Sequence, residues 1–257
     1  MRVFSVQFLV FLFCASSAFA YEEIRELSLP AQDINKLEID CGSGFLKVTN
    51  DRSAKEIEVS AQICVDKVRD SKAEELVEKD LELTLERKGS RAVLCCHFER
   101  SWISSGRNTQ VSVNLTVTVP KNMDLDIDDG SGSIEIRNIT GNLKIIDGSG
   151  NITLEDVHGN VNIEDGSGGI EIENITGNLD IDDGSGEIDI EEVTGDVNVD
   201  DNSGSMNIRN IGGNVTVDDG SGSITIDRVA QNVTIEEDGS GGLSINKVQG
   251  RIITDND

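Results

Sequence analysis

Asp129-Gly-Ser-Gly-Ser-Ile-Glu-Ile-Arg-Asn-Ile-Thr-Gly-Asn-Leu-Lys-Ile-Ile146 is a unit of 18 residues, and near-copies of it fill the second half of the chain. Its opening tetrapeptide recurs at Asp129, Asp147, Asp165, Asp183, Asp201 (as Asp-Asn-Ser-Gly), Asp219 and Asp238. The intervals are 18 residues, and the last is 19. A fixed period this short, with no helical pattern inside it, is the signature of a solenoid whose units stack on their neighbours.

Within the unit, apolar residues fall at positions 6, 8, 11, 15 and 17, counting Asp129 as 1. The pairs 6/8 and 15/17 alternate with period two, which turns both members of a pair to one face of a short strand. Position 6 reads Ile134, Ile152, Ile170, Ile188, Met206, Ile224, Leu243, a ladder of mostly β-branched side chains that suits stacked strands. Position 11 is also apolar in every unit and reads as an inward corner. The glycines at positions 2, 4 and 13 supply tight turns, some left-handed. Two strands and two turns per unit give a narrow, two-sided coil. At sheet spacing, seven coils make a rod roughly 34 Å long. The fold expected is therefore all-β: a single-chain β-solenoid with 18-residue coils and two short strands per coil.

Three segments follow from the pattern. Residues 1–20 read as a cleaved export signal, with Arg2, an apolar run from Phe8 to Phe13, and Ala18-Phe19-Ala20 before the cut. Cys14 follows Leu12 and Phe13 rather than a small residue, which argues against lipid attachment there. Residues 21–122 hold a first solenoid coil, Leu37 to Val48, interrupted by a long excursion. In that excursion Ile57 to Ile63, Leu81 to Leu85, Ala92 to Phe98 and Val111 to Val119 read as strands, and Ser71 with Glu74 as the start of one short helix. It is expected to be a β-rich N-terminal cap, because a bare solenoid end is an open sheet edge. Residues 123–257 form the seven-coil rod, whose far edge Arg251 and the polar tail from Thr254 to Asp257 would blunt.

Charge is uneven. The chain carries 48 acidic and 22 basic residues, a net of −26; 30 acidic and 6 basic residues lie from Met123 onward. A polyanionic rod excludes nucleic acid as a partner, and an anionic membrane surface with it. No second apolar segment follows the signal, so no membrane span is expected after cleavage.

Four cysteines remain after cleavage: Cys41, Cys64, Cys95 and Cys96. An even number in an exported chain argues for disulfides, with two bridges joining Cys41 and Cys64 to the 95–96 pair. A metal or redox site at Cys95-Cys96-His97 is the rival, weakened because no second ligand pair stands at zinc spacing.

No catalytic constellation stands out, since Ser and Asp occupy repeated turn slots and the rod holds one histidine, His158. No Phe, Tyr or Trp follows Trp102, so the rod lacks stacking platforms for sugars. The Asn-x-Thr triplets at Asn138, Asn151, Asn174, Asn214 and Asn232 read mostly as turn or ladder asparagines. The stacked aspartates are the remaining candidate: Asp129, Asp147, Asp165, Asp183, Asp201, Asp219 and Asp238 as calcium ligands, against a solvated acidic face that keeps the rod soluble.

The Asp-Gly-Ser-Gly-x-Ile-x-Ile…Ile-Thr-Gly-Asn-Leu-x-Ile units, with the strand Val111 to Val119 ending at Pro120, resemble a bacterial family named putative adhesins, over roughly residues 35–255. The resemblance implies a β-solenoid domain of unknown function and brings no catalytic residues with it. The expected function is an exported, non-enzymatic structural or protein-interaction module of the cell envelope, periplasmic or extracellular, with an unknown protein or envelope partner. That partner would bind the Cys95 to Trp102 stretch or a flat sheet face. A calcium-binding rod is the alternative, and a polysaccharide-acting envelope enzyme a remote one.

Overall fold

The computed structural model describes residues 21–66, 70–98 and 110–254. The export signal and Trp102 fall outside them. Nine strands and a helix lead into the repeat: β1 (Tyr21–Pro30), β2 (Lys36–Cys41), β3 (Leu46–Asn50), β4 (Glu56–Val65), α1 (Asp70–Asp80), β5 (Leu81–Lys88), β6 (Arg91–Phe98), β7 (Val111–Val119), β8 (Asp124–Asp129) and β9 (Ile134–Arg137). Thirteen more strands alternate between two sheets, ending with Leu243–Val248 and Ile252–Thr254. The helix and strands read from residues 57–119 all form.

Each sheet has 11 strands. Along the repeat every strand pairs in parallel with the strand one coil away, in register apart from one bulge after Val217, as Ile152↔Ile170 in one sheet and Val161↔Leu179 in the other. Positions 6, 8, 15 and 17 point between the sheets and are buried in every coil before the last, so the periodicity read from the sequence is the core. The corner position is buried as well, from Ile139 and Val157 through Val229. Burying each such Ile or Val contributes roughly 1.5–3 kcal/mol, repeated up the stack.

Two local devices let the chain turn. Position 4 must be glycine: a Cβ on Gly150 would lie 1.5 Å from the carbonyl oxygen of Gly132 in the coil before. The second device is at position 10, where Asn138, Asp156, Asn174, Glu192, Asn210, Arg228 and Lys247 all take left-handed φ, from 54° to 62°. This residue kinks the strand end and swings position 11 inward.

The N-terminal region departs from expectation in stacking order. The coil β2–β3 is not first in the rod: β6 and β7 pair in parallel with its outer edges, at Cys41↔Cys96 and Val48↔Val117. From β7 the chain passes the β2–β3 level to continue at β8, which pairs with the other edge of β2. Beyond β7, β4 and then β1 add antiparallel; beyond β6, β5 adds antiparallel. The helix α1 touches β1 and β5, bridging the two sheet edges at this end. At the opposite end Leu243, Ile252 and Ile253 are 36%, 47% and 49% exposed.

Candidate functional site

The inner corner of the rod departs furthest from the sequence reading. Alternation along each second strand puts positions 15, 17 and then 1 inward, so Asp129, Asp147, Asp165, Asp183, Asp201 and Asp219 are buried, none more than 5% exposed. The expected solvated face is made instead by the residues just before them, Asp128, Glu164, Asp182 and Asp200, which point outward. Each acidic pair therefore faces opposite sides of its strand and cannot chelate one ion together. Asp238 is only half-buried, because the inserted residue near Glu236 shifts the register of its strand.

The sequence keeps aspartate at this corner because its carboxylate closes the turn. Oδ1 accepts the backbone N–H of the serine two residues on, at 2.9–3.3 Å from Asp147 through Asp219. Oδ2 of all six buried aspartates has no hydrogen-bond partner. Neighbouring carboxylates stand in register on adjacent strands. Burial, followed by the charges of Asp129 and Asp165, pushes Asp147 up to about 6. Burial also pushes Asp183 up to about 6, against the stabilising Ser185 N–H. Asp129, Asp165, Asp201 and Asp219 are raised for the same leading reason. The corner is a column of carboxyls that favour a proton or another positive charge.

Cysteines continue that column. Cys41 occupies the aspartate slot of its coil and its thiol lies 3.4 Å from Asp129 Oδ1; Cys96 follows on the next strand. Burial foremost pushes the thiol of Cys96 up to about 12, and that of Cys41 up as well. All four cysteines are free thiols here, so the structure does not show the expected bridges. Of the expected pairings only Cys41 with Cys96 is brought together. Cys64 lies on β4, in the other sheet, on the face turned away from the core, so it cannot reach Cys95. The rival Cys95-Cys96-His97 cluster also divides: Cys96 points inward, whereas Cys95 and His97 point outward.

A second ladder runs along the opposite turn. Oδ1 of position 14 accepts the backbone N–H of position 14 in the next coil, seven times from Asp124 to Asn232, at 2.7–3.2 Å. The ladder reading of Asn214 and Asn232 holds. Above these turns lie two flat outer faces of short polar and acidic side chains, with Glu171 and Glu173 exposed on one and Asp180 and Asp182 on the other. No helix of the described residues is long and apolar enough to cross a membrane.

No curated protein matches the chain. Solved structures resemble it at low identity. A putative cell adhesion protein from Clostridium sporogenes is 11% identical, with 91% of this chain and 99% of that one covered and a TM-score of 0.29. A putative adhesin from Bacteroides fragilis is 17% identical over 90% and 96%, with a TM-score of 0.29. A protein named putative lipid binding protein, from Parabacteroides distasonis, is 14% identical over 91% and 94%, at 0.39. Scores this low carry no function across. The family model is of another order: it spans residues 58–249, from the antiparallel edge strands to the last coil, and by that match the chain belongs to the Toastrack family, DUF4097.

Proposed function

We propose that this chain is an exported, non-enzymatic, adhesin-like rod of the bacterial cell envelope that presents a flat acidic face to a protein partner. The observation that supports it best is the regularity of the two sheets. Eleven strands each, in register, carry outward positions of mostly short polar and acidic groups, which suits a broad docking face better than a cleft. With 30 acidic against 6 basic residues from Met123 onward, the rod calls for a cationic partner surface and an association that salt weakens.

The test separates the faces in the full mature chain. Glu171→Lys with Glu173→Lys reverses charge on one outer face; Asp180→Lys with Asp182→Lys does so on the other. Capture of a defined envelope protein should fall with one pair and survive the other. Capture indifferent to both pairs and to salt would overturn the reading. Export has its own chemical test, because an oxidising compartment should close Cys41 to Cys96 and leave Cys64 and Cys95 to alkylate in denaturant without reductant.

The calcium-binding rod is kept as a second reading for one reason: six buried Oδ2 atoms lack a partner. A column of hard oxygen donors would relieve its repulsion with calcium. A melt in millimolar calcium, compared with magnesium, decides it. A calcium-specific rise supports the site, and equal curves remove it.

A further inference from the structure

The register of the N-terminal coil creates a cluster that no linear spacing reveals. Strands β2 and β6 run side by side in parallel with Asp40 opposite Cys95. Alternation along β6 puts Cys95 and His97 on the same outer face, and Asp40 joins them there from β2. One donor atom from each (carboxylate oxygen, thiol sulfur, imidazole nitrogen) lies within 4.8 Å of the other two. His97 Nε2 stands 2.5 Å from Asp40 Oδ1. The imidazole lies close over Gly42, where an added Cβ would come within 3.3 Å of His97 Nδ1. Both strands are interior to their sheet, flanked by β5 and β8, so the backbone beneath the three side chains is held on both sides.

We propose that Asp40, Cys95 and His97 form a binding site for a borderline divalent transition-metal ion, of which zinc is the probe. The donor set selects the ion class. Sulfur and nitrogen do not suit calcium or magnesium, whereas a sulfur–nitrogen–oxygen set is ordinary zinc chemistry. Bonds of about 2.0–2.3 Å place tetrahedral ligands roughly 3.5 Å apart, so side-chain shifts of about 1 Å close the triad around one ion. Three protein ligands leave the fourth position to water or to a group from a partner.

The local field favours a cation. Glu82 on β5 pairs opposite His97. The Cys95 thiol is raised by burial first, then by the charges of Glu82 and Asp40. Without metal these groups keep the thiol protonated and a poor nucleophile. A metal ion takes the place of that proton, turning two carboxylates that oppose the thiolate into neighbours that stabilise the complex.

The experiment is equilibrium dialysis of zinc against the full mature chain, with excess magnesium present to occupy the acidic rod. Cobalt(II) absorption is recorded in parallel, because thiolate ligation gives a near-ultraviolet charge-transfer band. One equivalent of zinc is expected to survive the magnesium. Cys95→Ser should abolish the band, and each of Asp40→Asn, His97→Gln and Cys95→Ser should weaken zinc by at least about tenfold, the lower end of what even outer-shell changes cost. Cys64→Ser should change neither. All three ligands lie on the outer face of the sheet, and thermal melts of the variants show whether they remain folded. Unchanged zinc affinity in Cys95→Ser or a cobalt spectrum without the thiolate band would each overturn the site and leave an ordinary His–Asp contact beside a thiol.

Discussion

The repeat and the N-terminal region build the same two sheets by different means. In the repeat, strands find their partners 18 residues away, 19 in the last coil, and the inner corner is filled by the same aspartate six times over. Near the N-terminal end, paired strands lie far apart in sequence, as with Cys41 and Cys96, the direction changes from parallel to antiparallel, and cysteines replace aspartates at the corner. The difference is one of information. A repeat needs only a rule for stacking on an identical neighbour. An end must be specified by particular long-range pairings, and for that reason it carries side chains of unlike chemistry. The free thiols and the described non-repeat histidine, His97, are there.

One residue type placed in both regions tests this most sharply. Gly168 occupies position 4 of a coil, and a Cβ there would lie 1.5 Å from the Gly150 oxygen at a φ of +145°. Backbone cannot yield as a side chain can, so Gly168→Ala should cost more than about 4 kcal/mol or stop the rod folding. Gly89, in the turn between β5 and β6, has a φ of +73° but open space around it. Gly89→Ala should cost only the left-handed strain, about 1 kcal/mol. Urea unfolding of the two variants measures both, and equal losses would break the contrast between stacked and free turns.

Next in size is the aspartate column. Its folded-state carboxyls hold protons that the unfolded chain releases near pH 4. Stability carried by Asp147 and Asp183 is therefore fully present below about pH 4 and is lost as pH rises through about 6. Each contributes roughly 1–3 kcal/mol across that window. The rod should thus melt higher at pH 5 than at pH 7.5. Relief of the general negative charge acts in the same direction, so Asp183→Asn isolates the column. The amide keeps an oxygen for the Ser185 N–H and removes the buried charge, and the variant should gain stability at pH 7.5 and show a shallower pH dependence. An unchanged pH slope would mean that the column is already neutralised by something other than protons.

Most of the fold was open to reading because core and periodicity coincide. Positions 6, 8, 11, 15 and 17 name the buried ladder outright. The site was not open in the same way. Alternation was carried to position 17 and stopped at the turn; two residues further it would have put the aspartate inside. Charge argued for solvent, but the Ser N–H and the need to close the turn outweigh it. Stacking order also stayed hidden, since a parallel strand carries no mark of which neighbour it joins, and without it Asp40 could not be set beside Cys95. Position 10 was obscured because Asn138 and Asn174 looked like ordinary turn residues, while Glu192, Arg228 and Lys247 adopt the same left-handed φ without a side chain suited to it. Glu192→Asn should accordingly stabilise the rod by up to about 1 kcal/mol in thermal melts.

The smallest effect belongs to the junction where the two regions meet. Lys36 Nζ lies 2.7 Å from Asp126 in one sheet, and Lys47 Nζ lies 2.7 Å from Glu135 in the other. Hydrogen bonding to Asp126 raises Lys36, and the bond from Lys47 lowers Glu135. Both lysines are more than a third exposed, at 38%, so water screens much of each attraction. Lys36→Ala and Lys47→Ala should each cost less than about 1 kcal/mol. Salt distinguishes this from a structural clamp. It weakens the two pairs while easing repulsion among the rod's carboxylates, so the parent chain should gain stability with added salt and the gap between parent and double variant should close. A gap that persists in molar salt would mean the lysine stems hold the junction by packing rather than by charge.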